Sequence, residues 1–453
     1  TQIAALDATD VGDLTTTQLA ALTTQQVQAL TSTNMASLNA TQVAAFAVTQ
    51  LQALSTTNLN ALDAAQTAAL TTTQVAGLTT TQVAGLATTD IGELGAAQVA
   101  ALTATQVSRL ATDALSALDQ TQAAALTTTQ VRALTTTQLA ALQSTDVAEL
   151  STTQLRELNV TQVQALTSTN LALLADTQVA ALSTTQVAAL STTNLSAFAD
   201  TQIGALTTTQ IANLTTSQVL NLSTTNVGAL SETQVAALTA AQVSRLATGS
   251  LAHFDASQVA ALSTTQVRAF STTQIAALTA TDVAELSTTQ LATMTTTQVR
   301  ALTATNLASL VDTQIAALGA TQIAAFSTTN FSSLADTQIA ALTTTQIGAL
   351  TSSQLRSLST ANLAILDATQ VAALSATQVA ALTTTQIASL DAANLAEILE
   401  TQIAALTTTQ IVGLTTTNVG NLANTQLAAL TTTQLQAMST TNLSALADTQ
   451  VAA

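Results

Sequence analysis

The polar and apolar positions of this chain repeat every eight residues. The stretch Leu182–Leu190 reads Leu-Ser-Thr-Thr-Gln-Val-Ala-Ala-Leu, and the same order recurs from one end to the other. Every eighth position from Gln2 to Gln450 belongs to one series, which makes 57 octads with no slip of register. With Ser183 as position one, the order is cap, Thr, Thr, Gln, Val, Ala, Ala, Leu. Position one is mostly Thr or Ser. It is Asp at Asp7, Asp63, Asp119, Asp255, Asp367 and Asp391, and Asn at Asn39 and Asn159. These are the residue types that cap helix N-termini. The Gln three residues on completes the Ser/Thr-x-x-Gln spacing of a capping box. Val187 and Leu190 lie three apart and share a helix face, and Ala188 and Ala189 have the best helix propensity. Each octad is predicted to form a helix of about one and a half turns.

Two other structures fit less well. One continuous α-helix would let the apolar stripe drift by roughly 80° per octad, leaving no fixed buried face. A β-solenoid suits the Thr, Val and Ile content, and it is the alternative fold. However, Val187 and Leu190 are an odd number of residues apart, so a strand would point them to opposite faces. No Gly recurs at a helix C′ position, where a left-handed residue commonly ends a helix. Each break must therefore come from the next cap.

A second period gives the coil. Position four departs from Gln at Asp10, Asn34, Asn58, Asp90, Ala114, Asp146, Asn170, Asn194, Asn226, Ser250, Asp282, Asn306, Asn330, Asn362, Asn394, Asn418 and Asn442. These marked octads are always 24 or 32 residues apart, with a mean of 27. A superhelix of about 3.4 octads per turn accounts for the mixture, because whole octads sample a non-integer pitch. The expected fold is an all-α, single-chain solenoid running over 1–453 as one continuous array, cut from a longer one. Positions five and eight would face its axis, with Phe46, Phe198, Phe254, Phe270, Phe326, Met294, Met438 and Ile398 as variants of the usual Leu at position eight. Contacts would run only between neighbouring turns.

Composition narrows the function. The chain has a formal net charge of −17, with seven Arg, no Lys, no Cys and no Pro. That charge disfavours nucleic acid and anionic membranes, where clustered cations are needed. No run of eighteen apolar residues exists to span a bilayer, and the lack of Cys removes disulfides and thiolate metal sites. The single His253 has no partner for a nucleophilic triad, so neither catalysis nor a small-molecule substrate is expected. The Arg residues occupy the two Ala positions and read as solvent-facing.

Two sets of side chains remain as candidate sites. Four marked octads carry Asp with a second acid three residues on: Asp10 with Asp13, Asp90 with Glu93, Asp146 with Glu149, and Asp282 with Glu285. Such pairs lie side by side on a helix and offer carboxylate oxygens of the kind that hold Ca²⁺. The Asn residues of the marked octads (Asn34, Asn58, Asn170, Asn194, Asn226, Asn306, Asn330, Asn362, Asn394, Asn418 and Asn442) form a candidate lateral-contact column through which copies bundle side by side. Rows of Thr suggest an ice-binding surface, although a pitch of 3.4 octads makes them spiral.

The Thr/Ala/Leu/Gln octads resemble low-complexity repeat tracts of very large bacterial surface proteins of the adhesin-like kind. That resemblance covers the whole chain by composition and implies secretion and a stalk or fibre role. The expected function is thus a structural one: an extracellular or cell-surface stalk or filament segment whose partner is itself. The alternative is a ligand-binding array for Ca²⁺ or ice.

Overall fold

The computed structural model describes residues 3–452. It divides into two compact units, Thr1–Leu230 and Ser231–Ala453, and each is treated by itself below. Among the described residues there are 56 α-helices, one 3-10 helix at Ile3–Ala5 and no strand. Every helix occupies one octad, so each unit is an all-α solenoid of short helices.

The octad that opened the sequence argument shows how the local structure arises. Ser183 is extended (φ −69°, ψ 157°) and caps the helix Thr184–Ala189. Its hydroxyl accepts the Gln186 N–H at 3.2 Å, and Gln186 Oε1 accepts the Ser183 N–H at 2.7 Å. These bonds satisfy two of the orphan donors at the helix start. At the other end Leu190 is extended (φ −60°, ψ 139°) while its N–H still reaches the Val187 carbonyl. Two extended residues in succession, Leu190 and Ser191, turn the chain into the next helix. No described residue has a positive φ. The missing C′ glycine is explained: the break needs no left-handed residue.

Positions five and eight form the core. Val187 is fully buried, Leu190 nearly so, and the Phe, Met and Ile variants at position eight are buried as well. A helix packs on the helix three octads away, as Thr184–Ala189 does on Val160–Ala165 and on Thr208–Ala212. Side-chain bonds between turns bracket the pitch. On one edge they span 25 residues, as from Gln52 Nε2 to the Gly77 carbonyl at 2.7 Å and from Asn60 Nδ2 to the Gly85 carbonyl at 2.9 Å. On the other edge they span 28 to 31 residues, as from Gln186. A turn of 27 residues falls between the two.

Candidate functional site

The residue that joins one turn to the next is the Gln at position four. Its oxygen caps its own helix. Its nitrogen does a second job that local spacing does not reveal. Gln186 Nε2 donates to the carbonyls of Leu155 at 2.8 Å, Arg156 at 3.3 Å and Leu158 at 2.7 Å, which close the helix Thr152–Glu157 four octads earlier. The last carbonyls of a helix have no partner within it, so one side chain satisfies the start of one helix and the end of another. The same bond pattern recurs at Gln106, Gln130 and Gln162 in the first unit and at Gln298, Gln346 and Gln434 in the second. These amides are buried: Gln130 and Gln186 are each 2% exposed. The core of each unit therefore consists of an apolar column wrapped in an amide ladder.

The ladder corrects the expectation for the Asn column. Asn34, Asn58, Asn170, Asn226, Asn306, Asn362, Asn394, Asn418 and Asn442 are buried, and Asn194 and Asn330 are partly so. An amide used inside the solenoid cannot bind a neighbouring copy. Asn170 donates to the Leu142 carbonyl at 3.0 Å, Asn226 to Phe198 at 3.1 Å and Asn418 to Leu390 at 2.9 Å, all 28 residues back. Asn34, Asn58, Asn194, Asn306, Asn330, Asn394 and Asn442 make the same bond. Asn is one methylene shorter than Gln, so it reaches only the nearest of the three carbonyls. Asn362 differs, bonding Asp336 Oδ1 at 2.9 Å.

Asp at the same position keeps the cap and loses the donor. Asp10, Asp90, Asp146 and Asp282 each accept the N–H of their own cap residue, at 3.2, 3.2, 2.9 and 2.6 Å. An ionised carboxylate has no proton to give to the preceding turn. Asp10 and Asp13 are exposed, Asp146 is partly exposed, and Asp90 and Asp282 are buried. Burial pushes the Asp90 carboxyl above the usual carboxylate range, against the opposing pull of its bonds to Ala87 and Thr89. Thr67 stands at position five where Val or Ile is usual, and it helps line a cavity of about 20 Å³ beside Asp90. Glu149 is pushed up by burial, then by Asp146 and by Asp119. Glu285 is pushed up by burial, then by Asp282 and Asp255. The structure thus brings Asp146 near Glu149 and Asp282 near Glu285, and adds an acid from the turn before. The Glu93 Oε2 atom is buried with no hydrogen-bond partner. Among the described residues no group of three or more His, Asp or Glu is disposed to hold a metal ion, so the four pairs do not make a cage. His253 is exposed.

Asp90 sits where other octads carry an amide, and this gives a pH-dependent prediction. Its raised value means that folding favours the protonated acid. The resulting stabilisation is complete below the unfolded value of 3.8 and is lost as pH rises through the folded value. Asp90→Asn supplies an uncharged donor for the Leu62 carbonyl. It should raise the stability at pH 7 by about 1 kcal/mol, with a gain that shrinks on acidification to pH 4. Thermal melts of both proteins across that range provide the check. A gain independent of pH would show that the charge on Asp90 plays no part.

A longer period in the sequence marks the same geometry. Asp10, Asp146 and Asp282 are 136 residues apart, as are Asn34, Asn170 and Asn306, and Asn58, Asn194 and Asn330. That interval is 17 octads and contains five marked octads, which again gives 3.4 octads per turn.

Short capped helices, a two-position apolar column and a repeating amide ladder define a helical-repeat solenoid protein. The ALTTAQ repeat family matches residues 3–40, 43–80, 139–176, 179–219, 251–288, 315–352, 339–376 and 350–384, over half of the sequence. The chain belongs to the ALTTAQ repeat family. No curated protein matches it. No described helix is long and apolar enough to cross a membrane.

Proposed function

We propose that this chain is a structural element: a stalk or filament-forming segment, displayed outside a bacterial cell, that carries no catalysis. The amide ladder is the observation that supports this most. Each octad is held by bonds to the turns before and after it, so cohesion is local and repeats without a unique centre. Such an array can be any length and fits the task of spanning distance. The acidic, cysteine-free composition suits an exported segment that folds without disulfides.

Electron microscopy of the chain, with antibody labelling of intact source cells, tests both parts. Particles should lengthen by about 8–10 Å, one helix-packing distance, for each turn of octads added, and the label should decorate the cell surface. Particles whose length ignores added octads would refute the spacer role. A label confined to permeabilised cells would refute surface display.

A further inference from the structure

Position five is the most uniform apolar place in the octad after the Leu at position eight. Of the 57 octads, all but two carry Val, Ile, Leu, Met or Phe there; the exceptions are Thr67 and Ala123. Both precede an acid at the same interval. The octad of Thr67 lies three before that of Asp90, and the octad of Ala123 lies three before that of Asp146. Only four octads have Asp at position four, so the coincidence ties the two departures together. Asp282, in the second unit, follows the ordinary Val259 and lies outside the pattern.

Within the first unit the structure shows what the two pairs share. A cavity of about 20 Å³ is lined by Leu62, Thr67 and Asp90 among surrounding Leu side chains. A second, also about 20 Å³, is lined by Leu118, Ala123 and Asp146 in the same way. Leu62 and Leu118 stand 28 residues before the two acids. At that distance a Gln or Asn side chain donates to the Leu carbonyl, as Gln186 does to Leu158 and Asn170 to Leu142. A carboxylate has no proton to donate, and among the described residues neither the Leu62 nor the Leu118 carbonyl accepts a hydrogen bond. Each carboxylate instead turns its second oxygen towards the hydroxyl beside it, Asp90 Oδ1 to Thr89 at 3.5 Å and Asp146 Oδ1 to Thr145 at 3.3 Å. Thr67 is 4% exposed, and its hydroxyl makes no hydrogen bond to a described residue.

We propose that each cavity binds one water molecule, which takes the place of the missing amide nitrogen. The water gives one proton to the Asp90 or Asp146 carboxylate and the other to the Leu62 or Leu118 carbonyl. At the first site its oxygen accepts the Thr67 hydroxyl. A buried water needs roughly 10–15 Å³ of space and about two to four polar partners. Each cavity has room for one molecule and no more, and the partners number three at Asp90 and two at Asp146. A dry void gains nothing from an acid on its wall, because a buried carboxylate short of hydrogen bonds costs free energy. Asp, a water and an altered position five thus replace the usual Gln and Val, and the turn is closed through solvent.

The test fills the space. Ile is an ordinary residue at position five opposite a Gln, as Ile275 is three octads before Gln298. Thr67→Ile and Ala123→Ile are made in the intact chain, each alone and together with Asp90→Gln or Asp146→Gln. Amide hydrogen exchange is followed in the helices Thr56–Leu59 and Thr112–Leu115, which precede the two carbonyls. Alone, Ile expels the water and strands both acceptors, so exchange there should quicken roughly tenfold or more. With Gln in place the amide nitrogen returns, and the same Ile should slow exchange to the wild-type rate or below. A crystal structure of the wild type should show one ordered water in each cavity. An effect of the same sign in both backgrounds, or none, overturns the inference, since Ile would then report a dry void or mere crowding. Wild-type exchange that slows in sodium chloride and not in choline chloride would also overturn it, by putting a cation where the water is proposed.

Discussion

Gln130→Glu is expected to destabilise the first unit by about 3–5 kcal/mol at pH 7, the range for a buried charge left without a partner. The wild-type amide accepts from the Thr127 N–H at 2.6 Å and from the Thr127 hydroxyl at 2.9 Å. It donates to Val99 at 2.8 Å and to Leu102 at 2.7 Å. Glu keeps the accepting half. In place of the donor it sets a second anionic oxygen against the oxygens of those carbonyls, in a site where Gln130 is 2% exposed. The carboxyl would bind a proton to relieve this, so the folded value rises, and much of the lost stability returns as pH falls towards 4. Gln130→Asn is the control. It keeps the nearest acceptor, as Asn170 does, and should cost about 1 kcal/mol. Chemical denaturation at pH 7 and pH 4 distinguishes the cases. A Glu variant as stable as the wild type at pH 7 would mean that the inter-turn donor contributes nothing.

Phe331→Ala should produce the largest core effect, about 3–5 kcal/mol. Phe331 stands at position five, where Val, Ile and Leu are usual, and it heads the largest fully buried side chains. The site of the damage is as informative as its size. The helix Thr328–Ser332 packs on Ala304–Ala308 and on Ser352–Ser357. Because turns touch only their neighbours, stability in such an array is a sum of local terms. Hydrogen exchange should therefore speed up in those three helices and remain slow several turns away. Uniform loss of protection throughout the second unit would show one cooperative core instead. Local unfolding also means that no single unfolding free energy describes the whole chain, so protection measured helix by helix is the better readout.

The helices, their caps and the core positions were legible because they depend on residues within one octad. The spacing Ser183 to Gln186 sets the cap, and Val187 with Leu190 sets the buried face. The pitch was legible because the marked octads sample it. The inter-turn bond was not, since Gln186 and Leu158 are 28 residues apart and nothing local connects them. One signal was there to be used. A capping box accepts Glu as readily as Gln, yet no octad has Glu at position four. Gln supplies a donor as well as an acceptor there, whereas Asp10, Asp90, Asp146 and Asp282 keep the acceptor alone. The same blind spot put the Asn residues on the outside: a polar column reads as surface until its carbonyl partners are known. Among the acids, the spacing paired Asp146 with Glu149 but could not place Asp119 beside them, because that neighbour comes from the previous turn.

The 136-residue interval has a consequence for how a chain of this kind can grow. Seventeen octads make five whole turns at this pitch. A copied segment of that size returns every side chain to the bearing it had before, so short amides follow short amides and each charge keeps its quadrant. Inserting a single octad would keep the eight-residue order but rotate everything downstream by roughly 106°, so that short amides would no longer follow short amides. Growth in blocks of five turns is the increment that adds length without scrambling the azimuth.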